Sequence, residues 1–255
     1  EGCTLNPGGR GAPIVLFGDS NAAQYAVALE RAAVGLDRPL DVVTKTGCPP
    51  LDLYYTRPEG GLDLVDEECR AWVDAELARF GDQPPSTVVL AFSIDHWLRD
   101  GWTVGATPDS LTGDPEQVSR EVAAAAGRTV AQIEAAGHDV VLVAPLVNPG
   151  RFDAPAALSD CESVLAVVRG ACPTSTPLAD IDERFTGLRD AVVAAGESAG
   201  AVGLDTIDYQ CPDGLCVPRN EEVGAIVFFD HTHYTTALTL AMVPDIESAI
   251  RAAGR

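Results

Sequence analysis

The chain has 255 residues, 46% of them hydrophobic and 22% charged, with seven cysteines and a formal net charge of −21. That length and balance suit a globular fold with a sizeable core and argue against a disordered chain. The acid excess, 38 Asp and Glu against 17 Lys and Arg with Lys45 the only lysine, repels phosphate backbones and anionic headgroups, so nucleic acid is a poor partner.

The elements follow in an alternating order. Pro13 to Phe17 is a short apolar run ending at Gly18-Asp19-Ser20, which predicts a buried strand and a turn. Residues 21–35 carry Tyr25, Val27, Leu29 and Ala32 at helical spacing, and Leu40 to Thr44 predicts a second strand before Gly47-Cys48-Pro49-Pro50. An amphipathic helix is expected from Leu62 to Phe80 and a third strand from Thr87 to Phe92. Residues 96–113 read as irregular. Asp114-Pro115 opens a helix, as N-cap and first helical position, running to Gly137. Val140 to Ala144 predicts a fourth strand and, continued past Pro145 to Val147, is the longest apolar run, far short of a membrane span.

Residues 146–178, with several prolines and a cysteine pair, read as an excursion. A helix over 179–198, a strand from Val202 to Tyr209, a loop from Cys211 to Asn220, a short strand within Val223 to Phe229 and a closing helix from Thr235 to Ala252, bent near Pro244, complete the chain. Short strands alternating with longer helices predict an α/β domain with a parallel sheet covered on both faces, here one domain over 1–255. In such sheets ligands bind beyond the carboxyl ends of the strands. The loops to read are therefore 18–21, 45–50, 93–97, 145–150 and 209–234.

Cys48 and Cys69, Cys161 and Cys172, and Cys211 and Cys216 pair by proximity in sequence and leave Cys3 over. Loop-closing pairs point to disulfides and an oxidising compartment. No spacing is a tight C-x2-C, and His231 and His233 lack a second ligand pair, so disulfides are favoured over zinc. Nothing in the sequence requires a metal or an organic cofactor. The start at Glu1, with no initiator Met and no leader, is expected of a mature secreted chain or an excised fragment.

Ser20 stands at a strand-to-helix turn, where its hydroxyl would be exposed and its N–H would lie near a helix N-terminus. It reads either as a nucleophile with an oxyanion donor or as the N-cap of the next helix. Asp230-His231-Thr232-His233 precedes the last helix. A serine nucleophile needs a base, and a carboxylate three residues before a histidine can fix its tautomer. His231 is the rival base, and a capping Asp230 beside two surface histidines is the other reading. The first and last loops meet at one edge of such a sheet, which favours a common site.

Gly18-Asp19-Ser20 after the first strand, with Asp230-x-x-His233 before the last helix, resembles the SGNH/GDSL hydrolase superfamily. The resemblance implies a flavodoxin-like three-layer α/β/α fold, with Ser20 as nucleophile, His233 as general base and Asp230 orienting it. The superfamily's second block places Gly47 as an oxyanion donor beside the Ser20 amide. The third block departs: Ala91-Phe92-Ser93-Ile94-Asp95-His96-Trp97 lacks the oxyanion asparagine, so that either Ser93 substitutes as donor or the hole has two donors.

A narrower likeness rests on Gly47-Cys48-Pro49-Pro50, the Trp-bearing third block and Cys211-x4-Cys216 ahead of Asp230-x-x-His233. These resemble the extracytoplasmic SGNH domain fused behind the membrane acyltransferase-3 domain of bacterial O-acyltransferases. The likeness implies an acyl donor delivered by an N-terminal membrane domain, a carbohydrate acceptor and an acyl-serine intermediate. The alternatives are an esterase with the same triad and a non-catalytic module binding glycan or a partner. His96, Trp97 and Trp102, whose aromatic faces suit sugar rings, and Asn21, a polar side chain beside Ser20, are the residues expected to contact the acceptor; partly buried loop anchors are the other reading of the tryptophans, and a structural helix-start residue that of Asn21.

Overall fold

The computed structural model describes residues 3–56, 67–98, 101–147, 175–230 and 232–254. Its strands in chain order are β1 (Cys3–Leu5), β2 (Ile14–Gly18), β3 (Leu40–Thr44), β4 (Tyr54–Thr56), β5 (Thr87–Ala91), β6 (Thr103–Gly105), β7 (Asp139–Val143), β8 (Thr176–Pro177), β9 (Val202–Leu204), β10 (Leu215–Cys216), β11 (Arg219–Asn220) and β12 (Ala225–Ile226). Its α-helices are α1 (Ser20–Ala23), α2 (Ala26–Leu36), α3 (Glu67–Phe80), α4 (Pro115–Ala135), α5 (Glu183–Ser198), α6 (Ile207–Gln210), α7 (Thr236–Ala241) and α8 (Val243–Ala253).

The central sheet runs β1-β3-β2-β5-β7-β9. Only β1 is antiparallel, along the edge of β3; the other neighbours are parallel. Numbered among themselves in chain order, the parallel strands stand 2-1-3-4-5, the doubly wound flavodoxin order. Strands buried on both faces read as unbroken apolar runs, which is why Ile14 to Phe17 and Val88 to Ala91 carry no polar alternation. Along β2, Val15 and Phe17 enter one core while Ile14 and Leu16 enter the other. Phe80, Val122, Val130 and Val192, from α3, α4 and α5, roof the first. Leu29, Leu238, Ile246 and Ile250, from α2, α7 and α8, roof the second. Each such side chain, fully buried, contributes about 1.5–3 kcal/mol of transfer free energy.

Several boundaries differ from those expected. The helix expected over 21–35 begins at Ser20 and breaks at Gln24–Tyr25. It ends on Asp37 in the left-handed conformation, not at Gly35. The strand expected over 202–209 stops at Leu204, because Asp205 accepts the Ile207 N–H (2.8 Å) and turns the chain into α6. Residues 96–113 hold β6, which pairs with β4, so this region is less irregular than expected. The loop expected over 211–220 contains β10 and β11, and the 223–229 strand shrinks to β12. The closing helix divides at Met242, just before Pro244, whose missing N–H cannot continue the ladder. Asp114 does cap α4 through the Gln117 N–H (3.0 Å).

Cys48–Cys69 and Cys211–Cys216 are disulfides, and Cys3 is free and exposed. The expected Cys161–Cys172 pair, the start of the 62–80 helix, most of the 146–178 excursion and His231 lie outside the described residues. Among the described residues no helix is long and apolar enough to cross a membrane.

Candidate active site

The topology places two of the candidate loops side by side. After β2 the chain crosses to β3 on one side, and β5 lies on the other, so the loops following β2 and β5 diverge around a crevice at the carboxyl edge. Gly18-Asp19-Ser20-Asn21 occupies the first loop and residues 93–98 the second.

Asp19 closes the first turn. It is 2% exposed, and its carboxylate accepts the N–H of Asn21 (2.7 Å) and the N–H of Ser93 (3.0 Å). Burial raises its pKa, while those two N–H groups and the nearby imidazoles of His96 and His233 act in the opposite direction. Asp19, and not Ser20, is therefore the N-cap of α1. That removes the capping reading of Ser20, which stands half-buried as the first residue of the helix. Asn21 is buried behind it.

The neighbouring loop after β3 carries Gly47, whose φ of +72° suits glycine and whose carbonyl accepts the Tyr55 hydroxyl (3.2 Å). Two devices hold this loop. Cys48–Cys69 ties it to α3. Asp52 accepts from Arg70 (2.6 Å) on α3 and Arg128 (3.0 Å) on α4. Burial works against the Asp52 charge, and the two guanidiniums outweigh it, holding the carboxyl below its ordinary range.

On the β5 side the structure revises two expectations. Ser93 donates its N–H to Asp19 and its hydroxyl to Asp95 (2.5 Å), so both its protons are engaged inside the protein and it is not placed as an oxyanion donor. Trp97 is buried against Phe92 (ring centroids 6.4 Å apart) and supports His96 from below, so it does not present a surface to an acceptor. His96 lies between Trp97 (4.6 Å) and Trp102 (4.7 Å), and Trp102 is half-buried.

The last loop carries the candidate base. Asp230 accepts the N–H groups of Thr232 (2.7 Å) and His233 (2.9 Å), so one carboxylate both closes the turn and meets the ring. His233 Nδ1 lies 2.8 Å from Asp230 Oδ2 and 3.0 Å from Oδ1, and Thr232 Oγ1 is 3.0 Å away. With the Nδ1 proton donated to Asp230, the lone pair of the neutral ring sits on Nε2. Among the described residues Nε2 is buried with no hydrogen-bond partner. Burial disfavours the Asp230 charge, but the Thr232 N–H and His233 outweigh it and lower its pKa. Sequence reasoning missed the capping role of Asp19 and also Gln24, whose side chain accepts the Tyr234 N–H. A glutamine four residues after Ser20 carries no signal of that contact in the sequence.

A family model described as "SGNH domain (fused to AT3 domains)" matches residues 1–248. Among solved structures the chain is similar to the periplasmic domain of a Salmonella ser. Paratyphi A lipopolysaccharide acetyltransferase. The TM-score is 0.61 at 16% identity, covering 95% of this chain and 85% of that one. It is also similar to an acetyl xylan esterase, AlAXEase, with TM-score 0.50 at 12% identity, covering 93% of this chain and 99% of that one. No curated protein matches the sequence. At these identities the structural likeness speaks for the fold, and the family match extends over nearly the whole chain. The chain belongs to the family of SGNH domains fused to AT3 domains.

Proposed function

We propose that this chain, working as one domain, is an extracytoplasmic serine O-acyltransferase that moves an acyl group, acetyl first among them, to a cell-surface glycan or glycolipid. The observation that carries the reading is the Asp230–His233 pair, whose buried and unpartnered Nε2 leaves a base available on a chain that also presents Ser20 free of capping duty. The chain is an SGNH-type acyltransferase or esterase. The acetyltransferase and acetylesterase folds it resembles support acyl chemistry on carbohydrate, and the two disulfides fit an extracytoplasmic place.

In this reading His233 Nε2 takes the Ser20 hydroxyl proton as Oγ attacks the carbonyl carbon of an ester or thioester donor. The Ser20 and Gly47 amides hold the tetrahedral oxyanion. The C–O or C–S bond to the leaving group breaks, the leaving group takes the proton from His233, and acyl-Ser20 remains. A sugar hydroxyl then gives its proton to His233, attacks the acyl carbon and leaves as the ester while Ser20 is restored. His96 and Trp102 line the acceptor side, and Asn21, buried behind Ser20, does not reach it. The AT3 membrane domain described for the family would present the donor and tether the domain to the membrane. Hydrolysis, with water in place of the sugar hydroxyl, is the second reading, favoured by the fold likeness to an acetyl xylan esterase.

The test is p-nitrophenyl acetate turnover by the protein and by Ser20→Ala, with and without sugar acceptors. Release should fall by about 10³-fold in the variant. Faster release with acceptor, and acetylated sugar as product, supports transfer; acetate alone supports hydrolysis. Release that does not depend on Ser20 would overturn both and leave a binding module.

A further inference from the structure

Gln24 lies one turn beyond Ser20 and reaches across to the other half of the site. Its Oε1 accepts the backbone N–H of Tyr234 (2.5 Å), the residue directly after His233. Its own carbonyl accepts the Thr239 hydroxyl (3.3 Å) on α7. The next residue, Tyr25, meets the Tyr234 ring edge to face (6.4 Å). Tyr234 is held at its far end too. Its phenol donates to Gln210 Oε1 (2.9 Å), and the Gln210 amide donates to the Val147 carbonyl (2.5 Å) beyond β7.

The base loop otherwise bonds mainly within its own neighbourhood. Phe229 N–H meets the His233 carbonyl (2.8 Å), Thr235 N–H the Val227 carbonyl (3.0 Å), and Val227 N–H the Pro218 carbonyl (3.0 Å). Among the described residues no strand pairing joins this loop to β2. A side chain therefore spans the gap between two segments 210 residues apart. Asp230 governs the tautomer and tilt of the His233 ring; Gln24 acts on where the backbone bearing that ring stands. We propose that Gln24 is a positioning residue that ties the helix of Ser20 to the loop of His233 and so sets the alignment of base and nucleophile. The proposal rests on the acyl-serine reading above.

The test compares Gln24→Met, which keeps the length of the side chain but loses the acceptor, with Gln24→Glu, which keeps an acceptor oxygen. Two readouts are used: the pre-steady-state burst with p-nitrophenyl acetate, and the ring ¹H–¹⁵N spectrum of His233, which needs no turnover. Misplacing a reacting group by about 1 Å costs on the order of 10²-fold, so Gln24→Met should acylate roughly 10- to 100-fold more slowly with KM within about twofold. Its His233 signals should broaden or split, and Gln24→Glu should restore both readouts. A Gln24→Met protein with the wild-type burst rate and an unchanged His233 spectrum would overturn the proposal, as would a loss that Gln24→Glu does not restore. If Ser20→Ala retains the burst, the acyl-serine reading fails, while the ring spectrum still decides whether Gln24 positions His233.

Discussion

The two halves of the site are built in opposite ways. The turn that carries Ser20 grows directly from the middle of the sheet: β2 is hydrogen-bonded on both sides, and Asp19 is sealed beneath the loop after β5. The loop of Asp230 and His233 stands outside the sheet: Val227, Phe228 and Tyr234 anchor its two ends in the core, but between them Asp230 and His233 rest on local hydrogen bonds, and Phe229 is 77% exposed beside Asp230. A position enforced by many buried neighbours fails by unfolding; one enforced by single hydrogen bonds fails by misalignment. Damage to the first half should therefore read out in stability, and damage to the second in rate.

The largest expected effect is His233→Ala, which removes the proposed base from a partly exposed position. Acetyl release should drop by about 10³-fold while the Tm moves by no more than roughly 2 °C. Ester kinetics beside a thermal melt checks this, and a large loss of stability would break the contrast between the halves. Gly18→Ala comes next and acts the other way. A Cβ at Gly18 would stand 1.9 Å from the Ala91 carbonyl oxygen and 2.5 Å from Ala22 Cβ, so the central strands must move apart. We expect a loss of about 3 kcal/mol in urea melts. A wild-type melt would show that the turn is not rigid.

Asp52→Asn is the smallest and sharpens the comparison with a third element, the Gly47 loop, held by charge as well as by a disulfide. Losing the two guanidinium partners of the carboxylate should cost about 1.5–2 kcal/mol at pH 7. Because the folded-state pKa of Asp52 lies below its unfolded value, this stabilisation is fully present above about pH 4 and is lost as pH falls through the folded value. Urea melts of the two proteins should therefore differ more at pH 7 than near pH 2. An equal gap at both pH values would refute the assignment.

The legibility of the sequence follows the same division. β3 was readable to the residue, and the cap of α4 at Asp114, because periodicity and capping are local. The shortening of the 202–209 strand was not readable, because Asp205 turns the chain there while also bonding Arg189 on α5, a partner that only the fold supplies. Trp97 is a similar case: a tryptophan next to a site histidine reads the same whether its ring faces solvent or Phe92. Ser93 stands where an oxyanion donor was expected, and the structure turns its donors to Asp19 and Asp95.

By itself the sequence determined the alternation of strands and helices, the parallel sheet, the chemical types at its carboxyl edge, and two cysteine pairs close enough to join. Apart from Cys48–Cys69, 21 residues apart, those features depend on residues within a few positions of one another, where backbone geometry leaves few choices. Only the tertiary structure decided that Asp19 and not Ser20 caps the first helix, that His233 meets Asp230 through Nδ1 with Nε2 left over, and that Gln24 reaches Tyr234. Which donor meets which acceptor is settled by burial and distance after the chain has closed on itself, and burial of a polar group is tolerated where the fold brings a partner to it.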